Sequence, residues 1–274
     1  MTTGAGGRRR LAVLGSPIAH SRSPQLHTAA YRVLGLDWEY ERIEVREGGL
    51  ADLIGGLGPQ WRGLSLTMPL KREALRVADA VDARAAELAQ ANTLVLSDAG
   101  VRAFSTDVDG VLGALASLGV GPVRSATVLG GGATAESAVA ARRTLGAEGT
   151  VGVRTPARAA RLGASARVLP LAEAPMDAAV VVSTVPAGAE LPVRVPDRPG
   201  VLLDVVYDPW PTPLATAWRA RGGRVANGLE MLLHQALGQV RAFVGGDPGI
   251  PLPDEDAVLR AMRDAAGWGA VEGS

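Results

Sequence analysis

The stretch that decides the fold is A-T-V-L-G-G-G-A-T-A at residues 126–135. Its first four residues are typical of a buried strand, and the rest has the spacing G-x-G-x-x-A at the start of a segment with helical periodicity. In a dinucleotide-binding strand–turn–helix unit, Gly130 permits the tight turn and Gly132 lets the backbone approach a pyrophosphate at the helix N-terminus. The chain has 35 glycines, so the spacing by itself also fits an ordinary turn. The strand before it and the helix after it favour a dinucleotide site.

The end of the next predicted strand, 149–153, indicates which dinucleotide this site prefers. Proteins that bind NAD usually carry Asp or Glu about 20 residues after the glycines, where it holds the ribose hydroxyls. This chain has Arg154 and Thr155 there, with Arg158 four residues after Arg154. Guanidinium groups and a hydroxyl suit a 2′-phosphate through charge-assisted hydrogen bonds. The pattern predicts NADP over NAD; the alternative is that both arginines are ordinary surface residues of an arginine-rich chain.

Strands alternate with helices along the whole chain. The predicted strands of the second half are 126–129, 149–153, 180–183 and 201–205. This order predicts an α/β fold with parallel sheets and right-handed crossovers. One exception is a hairpin, which we expect from 93–96 with 101–104. The glycine- and proline-containing break at 119–122 follows a predicted helix that starts at 108, and it suggests a domain boundary within 108–122.

The composition excludes several classes of protein. Lys and Arg total 28, Asp and Glu total 28, and the formal net charge is zero, which argues against a general nucleic-acid binder or a polybasic membrane protein. The chain has no cysteine, which excludes disulfides, thiolate nucleophiles and cysteine-ligated metals. The three histidines show no metal-site spacing, so we expect no metal. Neither a signal peptide nor a run of 18 apolar residues is present, and we expect a cytoplasmic protein.

Lys71 is the chemical exception among the basic residues. Of the 28, 27 are arginine and Lys71 is the single lysine. Nucleotide composition bias explains the arginine excess but leaves this lysine either as a chance survivor or as a residue with a chemical role. Arginine stays protonated in proteins, whereas the pKa of a lysine can be tuned so that it gives and takes a proton. We therefore expect Lys71 to take part in chemistry.

Polar clusters follow the predicted strands of the first half. They are P-I-A-H-S-R-S-P at 17–24, S-L-T-M-P-L-K at 65–71, A-N-T at 91–93 and S-T-D-V-D-G at 105–110. Ligands of open α/β sheets bind at the carboxyl ends of the strands. These clusters can therefore converge on one site.

The clusters resemble the motifs of the shikimate dehydrogenase family. G-S-P-I-A-H-S-R-S-P-Q-L-H at 15–27 is similar to that family's opening motif nearly throughout, and 65–71 resembles its N-V-T-x-P-x-K. Its A-N-T and N-T-D-x-x-G have counterparts at 91–93 and 105–110. D-V-V-Y-D-P-W-P-T-P-L at 204–214 and G-L-E-M-L-L-H-Q at 228–235 complete the set in order. The resemblance covers about residues 11–245.

The resemblance implies an NADP-dependent oxidoreductase that reversibly reduces 3-dehydroshikimate to shikimate in aromatic amino-acid precursor biosynthesis. It implies a small anionic polyhydroxy-ring substrate, no nucleic-acid or membrane partner, and a monomer or homodimer. It also implies two α/β domains, the second of them Rossmann-like. The expected parts are a disordered tail (1–10), a substrate-binding and catalytic domain (11–107), an NADP-binding domain (108–228) and C-terminal helices that return to the substrate domain (229–274).

The same resemblance assigns roles to individual residues. Ser21 and Ser23 would hold the substrate carboxylate, and Lys71 with Asp107 would be the catalytic pair. The ring hydroxyls would be bound by Thr67, Asn92, Asp107 and Gln235, with Tyr207 lining the site. The cofactor side would consist of Gly130, Gly131, Gly132, Ala133, Thr134, Arg154, Thr155, Arg158, Thr184, Val205, Gly228 and Met231.

Chemistry supports these roles but leaves alternatives open. Hydride delivery to a ketone creates alkoxide character on oxygen, which needs a proton donor, and an aspartate beside a lysine orients the amine and favours its charged form. Ser23, before Pro24, also fits a helix N-cap whose hydroxyl is fully used by backbone amides. Asn92 also fits a turn residue, and Gln235 and Met231 also fit interface positions on an amphipathic helix.

Three departures from the family pattern bear on specificity. Ser65 and Ser105 each replace a usual asparagine in the first half, and Val153 replaces one before Arg154. They bear on ligand affinity and on the preference for NADP over NAD more than on the type of reaction. The competing functions are a quinate or aminoshikimate dehydrogenase of the same family, and a non-catalytic ligand sensor on the same scaffold. Retention of Lys71 argues against a sensor, since binding alone needs no titratable amine.

Overall fold

A computed structural model describes residues 8–163 and 165–267, and in it the chain divides into two compact units. The first unit contains the residues up to Thr106 and those from Ala236 onward, and the second is Asp107–Gln235. Each unit contains one six-stranded sheet.

The first half of the chain forms the sheet of the first unit. Its elements are β1 (Arg9–Gly15), α1 (Ser23–Val33), β2 (Trp38–Glu44), α2 (Leu50–Gly55), β3 (Trp61–Leu66), α3 (Ala74–Val77), β4 (Ala80–Val81), α4 (Ala83–Leu88), β5 (Thr93–Ser97) and β6 (Gly100–Phe104). The strand order is β2-β1-β3-β5-β6-β4. β1 runs parallel to both β2 and β3, and its run Leu11–Leu14 is almost fully buried, as expected for a central parallel strand. The predicted hairpin is confirmed, because β5 and β6 pair antiparallel across a tight turn.

The second unit has the alternation that the sequence predicts. Its elements are α5 (Asp107–Ala116), β7 (Ser125–Leu129), α6 (Ala133–Thr144), β8 (Glu148–Val153), α7 (Ala160–Gly163), β9 (Arg167–Pro170), β10 (Val180–Ser183), β11 (Val201–Asp204), α8 (Pro213–Arg219) and β12 (Arg224–Asn227). The strand order is β12-β11-β10-β7-β8-β9, and each neighbouring pair is parallel. β7 therefore lies at the centre of the sheet, where the order of the strands reverses.

Two helices follow β12 in the described part of the chain, α9 (Gly228–Gly245) and α10 (Glu255–Ala265). Within the first unit, α10 packs against α1. The boundary between the units falls at Gln235, inside α9, and not at the predicted position 228. The first eight residues of α9 belong to the second unit, because Met231 and Gln235 lie against Gly110 of α5, and the rest of the helix belongs to the first unit. The first boundary lies after Thr106, one residue before the predicted one.

The predicted disordered tail, 1–10, was wrong for its last two residues. Arg9 and Arg10 begin β1, in register with Trp38 and Glu39 of β2. The Arg10 guanidinium also lies over the Trp61 ring, 4.6 Å from its centroid. Backbone pairing orders both residues, and the cation–π contact also holds the Arg10 side chain. Residues 1–7 lie outside the described part of the chain.

Candidate functional site

The loop between β1 and α1 positions the two candidate carboxylate ligands. α1 begins at Ser23, and its N-cap residue is Arg22, whose side chain makes no capping hydrogen bond. The reading of Ser23 as the N-cap was therefore wrong. The Ser23 N–H donates instead to Ser21 Oγ at 3.3 Å, so the Ser21 hydroxyl supplies an acceptor at the start of the helix. The guanidinium of Arg42 fixes the loop by donating to the Ser21 carbonyl at 2.6 and 2.8 Å.

Asn92 links the start of β5 to the segment that follows β6. Its side chain is buried, and its Oδ1 accepts from the Thr106 N–H at 3.0 Å and from Thr93 Oγ1 at 2.8 Å. Its Nδ2 donates to Thr106 Oγ1 at 2.9 Å. Asn92 thus has a structural role of its own, and it fixes the segment that leads directly into Asp107.

Thr67 and Lys71 follow β3. Both are half-buried, and Lys71 lies in the turn between β3 and α3. The Thr67 N–H donates to the Leu14 carbonyl at 2.9 Å, and the Lys71 carbonyl accepts from the Ala91 N–H at 2.8 Å. These bonds bring the chain after β3 beside the end of β1 and beside the segment that contains Asn92. The first unit therefore gathers its predicted polar clusters at one edge of its sheet, where β1, β3 and β6 end and the antiparallel β5 begins.

A buried polar cluster behind these loops was missed by sequence reasoning. Tyr40 donates to Ser65 Oγ at 2.6 Å, Ser65 donates to Gln239 Oε1 at 2.9 Å, and Gln239 Nε2 donates to the Asn92 carbonyl at 2.9 Å. His27 stacks on Tyr40 with ring centroids 4.0 Å apart, and its Nε2 lies 3.2 Å from Gln239 Oε1. Burial lowers the pKa of His27 to about 3, so the ring is neutral. His27 is therefore a packing and hydrogen-bonding group of the core.

Two of the three departures from the family's asparagines lie in this unit, and they differ in their surroundings. Ser65 is fully engaged in the cluster just described. Ser105 is also buried, but its hydroxyl has no hydrogen-bond partner among the described residues. The shorter side chain leaves a polar atom unpaired there, which costs stability unless a water or ligand reaches it.

The glycine-rich turn has the predicted strand–turn–helix geometry. It connects β7 to α6, and Gly130 has φ +116°, a conformation that side chains rarely adopt. A Cβ at Gly130 would lie 2.2 Å from Thr184 Oγ1, whereas a Cβ at Gly132 would meet no atom within 4 Å. Gly132 is the N-cap of α6, so open space lies beside the helix N-terminus. An anionic group suits that position because of the helix dipole and the free N–H groups.

Predicted cofactor residues line a cavity of about 350 Å³ beside this turn. Those residues are Gly130, Gly131, Gly132, Arg154, Thr155 and Thr184. Arg154 and Thr155 are exposed at the end of β8, and Val153, Ala159 and Leu171 supply an apolar wall. Ala133 and Thr134 form the first turn of α6. The side chain of Arg158 lies outside the described part of the structure.

The remaining predicted residues also lie in the second unit. α9 packs on α5, since a Cβ at Gly110 would lie 2.8 Å from the Met231 carbonyl oxygen and 2.9 Å from Gln235 Cβ. Asp107 is buried at the start of α5. A Cβ at Gly228 would lie 1.9 Å from the Val205 carbonyl oxygen, so only glycine fits there. Tyr207 is half-buried after β11. Lys71 belongs to the first unit and Asp107 to the second.

Within residues 8–163 and 165–267, no three or more His, Asp or Glu side chains are grouped so that they could hold a metal ion. None of the helices in those ranges is both long and apolar enough to cross a membrane.

Comparisons with known proteins all identify one family. Residues 13–94 match the family model of the shikimate dehydrogenase substrate binding domain. The NADP(+) shikimate dehydrogenase of Acidiphilium cryptum is 36% identical over 273 residues, which cover 93% of this chain and 96% of that one. That of Thermus thermophilus is 34% identical over 266 residues, covering 94% and 99%.

Solved structures are similar over the same range. The crystal structure of Mycobacterium tuberculosis shikimate dehydrogenase has 48% sequence identity and a TM-score of 0.81, and covers 93% of this chain and 99% of that one. The Thermus thermophilus enzyme in complex with NADP(H) and shikimate has 33% identity and a TM-score of 0.83, with coverage of 94% and 99%.

Proposed function

Because this chain belongs to the shikimate dehydrogenase family, we propose that it catalyses the reversible NADP-dependent reduction of 3-dehydroshikimate to shikimate. The observation that carries the proposal is the similarity over 94% of the chain to an enzyme solved with both NADP(H) and shikimate. The protein is an oxidoreductase acting on a CH–OH group. We place it in the cytoplasm, in aromatic amino-acid precursor biosynthesis, as a monomer or homodimer.

The first unit supplies most of the proposed substrate contacts. Ser21 and Ser23 hold the carboxylate, and Thr67 and Asn92 bind ring hydroxyls. A small polyhydroxy anion that leaves water needs directional hydrogen bonds to replace those it loses. The ordered loops after β1 and β3 and before β5 provide such groups without further folding. From the second unit, Asp107, Tyr207 and Gln235 complete the proposed substrate set.

Lys71 and Asp107 are the proposed acid–base pair. NADPH, when bound, supplies the hydride to the carbonyl carbon. Lys71 Nζ gives a proton to the carbonyl oxygen during reduction and takes it back during oxidation. Asp107 orients the amine and favours its charged form.

The second unit fits the proposed cofactor. The open space at the N-terminus of α6 suits the pyrophosphate, which the backbone of Gly130 to Thr134 approaches. Arg154, Thr155 and Arg158 bind the 2′-phosphate, and the apolar wall of the neighbouring cavity suits the adenosine. Thr184, Val205, Gly228 and Met231 complete the cofactor side.

The test is steady-state oxidation of shikimate, quinate and aminoshikimate, each with NADP and with NAD. We expect the highest kcat/KM with shikimate and NADP. A higher value with quinate or aminoshikimate would reassign the substrate within the family. Binding of shikimate without turnover under all conditions would identify a ligand sensor.

A further inference from the structure

Gln239, in the part of α9 that belongs to the first unit, is a buried amide outside the proposed substrate set. Its side chain is 2% exposed, so solvent does not compete for its hydrogen bonds. Its Nε2 donates to the Asn92 carbonyl at 2.9 Å, and its Oε1 accepts from Ser65 Oγ at 2.9 Å. One amide therefore bonds both to β3 and to the residue before β5, and each of these places adjoins a proposed ligand for ring hydroxyls.

The neighbours of Gln239 allow only one orientation of its amide. The Asn92 carbonyl can only accept, so the amide nitrogen faces it and the amide oxygen faces Ser65 and His27. Both of those side chains must donate. The neutral ring of His27 therefore carries its hydrogen on Nε2, 3.2 Å from Gln239 Oε1, and its Nδ1 accepts from the Tyr31 hydroxyl at 3.2 Å. Gln239 Oε1 is thus the acceptor at which two buried donors meet.

The Asn92 carbonyl connects these bonds to the segments that carry proposed ligands. It accepts a second hydrogen bond, from the Leu66 N–H at 2.8 Å. Leu66 directly precedes Thr67, and in this unit Thr67 and Asn92 are the residues proposed to bind ring hydroxyls. Gln239 holds the same two segments, through Ser65 on one of them and through the Asn92 carbonyl on the other. It therefore adds a side-chain link to the backbone link between the two proposed ligands.

We infer that Gln239 is a positioning residue, which sets the distance between Thr67 and Asn92 and thereby the fit of the site to the ring hydroxyls. The inference rests on the proposed function, because it takes these two residues as ligands of the substrate. A polyhydroxy ring that leaves water needs its hydroxyls paired, so a small displacement of one ligand weakens binding. The substrate carboxylate is proposed to bind elsewhere, at Ser21 and Ser23 between β1 and α1. Gln239 should therefore affect recognition of the hydroxyls and not of the carboxylate.

Three variants test this role. Gln239→Met removes the amide and keeps an unbranched side chain of similar size, which limits any cavity. Ser65→Ala is a milder change, which removes one donor to Gln239 Oε1 and keeps the bond to the Asn92 carbonyl. Tyr31→Phe is the matched control, because Tyr31 is as deeply buried as Gln239 and its hydroxyl bonds to the other ring nitrogen of His27. The control removes a buried hydrogen bond from the same cluster and leaves the bonds of Gln239 in place.

The experiment measures the affinity of each protein for shikimate and for cyclohex-1-ene-1-carboxylate, together with Tm. The second ligand keeps the ring and the carboxylate of shikimate and lacks the ring hydroxyls. Titration calorimetry suits shikimate, and ligand-observed NMR suits the weaker analogue. We expect Gln239→Met to weaken shikimate binding about three- to tenfold, the effect of losing one hydrogen bond, and to change binding of the analogue less than about twofold. Ser65→Ala should cause the same selective loss to a smaller extent, and Tyr31→Phe should leave both affinities within about twofold.

A merely structural role would give a different result. Equal weakening of shikimate and the analogue by Gln239→Met, or the same selective loss in Tyr31→Phe, would overturn the inference, and so would an unchanged affinity for shikimate. If Gln239→Met does not fold, Ser65→Ala decides between the same outcomes.

Turnover of shikimate by the unmutated protein tests the proposed function separately. Binding of shikimate without turnover would refute that function, while the comparison of affinities would still decide the role of Gln239. Absence of shikimate binding by the unmutated protein would overturn both.

Discussion

The candidate sites of the two units consist of different kinds of chemical group. In the first unit the polar groups are side chains that are buried and hydrogen-bonded to one another, as in the contacts between Asn92 and Thr106. In the second unit the glycine-rich turn presents backbone and open space, and the side chains at the end of β8, Arg154 and Thr155, are exposed. A site made of interlocked side chains defines one shape and resists adjustment. In the proposed cofactor role, the backbone suits the pyrophosphate that dinucleotides share, and Arg154 adds one selective charge contact.

The comparison also explains which features were predictable from sequence. The turn after β7 is local, and its glycines are needed for reasons that a ten-residue window contains, so the centre of the second sheet was predictable. Its two edge strands, β9 and β12, were not predicted. The cluster behind the substrate loops is not local, because 212 positions separate His27 from Gln239. Tyr40 lies on an alternating strand and Gln239 lies one turn after Gln235, and neither pattern alone indicates a shared partner. Ser23 was misplaced by one residue because the Ser21 hydroxyl performs part of the capping that Ser23-Pro24 suggests.

The largest expected effect tests whether the substrate side performs chemistry or only binds. Lys71→Ala should lower turnover about 10²–10⁴-fold, the range for a positioned acid–base group, and change the KM for 3-dehydroshikimate far less. Lys71→Arg keeps the charge but cannot release a proton at working pH, so it should be nearly as inactive while still binding NADPH. Steady-state kinetics and NADPH titration measure both. Substantial turnover by Lys71→Arg would make Lys71 an electrostatic anchor. The two units would then differ only in how each binds its ligand.

The next effect concerns the selective charge of the cofactor side. Arg154→Ala should raise the KM for NADPH roughly ten- to a hundredfold, because a charge-assisted hydrogen bond is lost, and should barely change the KM for NADH. Parallel kinetics with the two cofactors measure the difference. An equal rise in the KM for NADPH and in the KM for NADH would show that this exposed arginine has a structural role.

A smaller effect tests whether the two sites are independent. Ser21→Ala and Ser23→Ala should each weaken substrate binding about tenfold and leave NADPH binding intact, because each removes one donor to a charged group. Titrations of each variant with shikimate and with NADPH, followed by tryptophan fluorescence, provide the measurement. If both variants bind shikimate as well as the unmutated protein, the carboxylate is held elsewhere.

The last effect is on the pH dependence of stability, and it should originate in the first unit. The pKa of His27 is about 3 in the folded protein and about 6.5 when exposed, so between these values the unfolded chain binds more protons. Stability contributed by the neutral ring is complete above pH 6.5 and is lost as the pH falls toward 3, by at most about 1.4 kcal/mol per pH unit. Urea unfolding at several pH values measures this slope.

Histidine variants assign that slope to one side chain. His27→Gln should flatten the pH dependence between about 6.5 and 3, whatever it does to stability at neutral pH. His20 is exposed, and His20→Gln should leave the slope as it is. A slope that survives in His27→Gln would place the acid sensitivity outside the buried cluster.

The single lysine in the half-buried turn after β3 makes this protein a natural single-site labelling target. Apart from the α-amino group, Lys71 is the one amine in the chain that an amine-selective acylating reagent can modify. The arginine side chains do not react with such a reagent. The rate of acylation against pH is therefore a titration curve of one side chain in the intact, unmutated protein. Protection by shikimate would report occupancy at the same atom, with no engineered probe. A lysine-specific protease likewise has a single cleavage site, so one cut at the proposed proton donor separates the chain into two fragments.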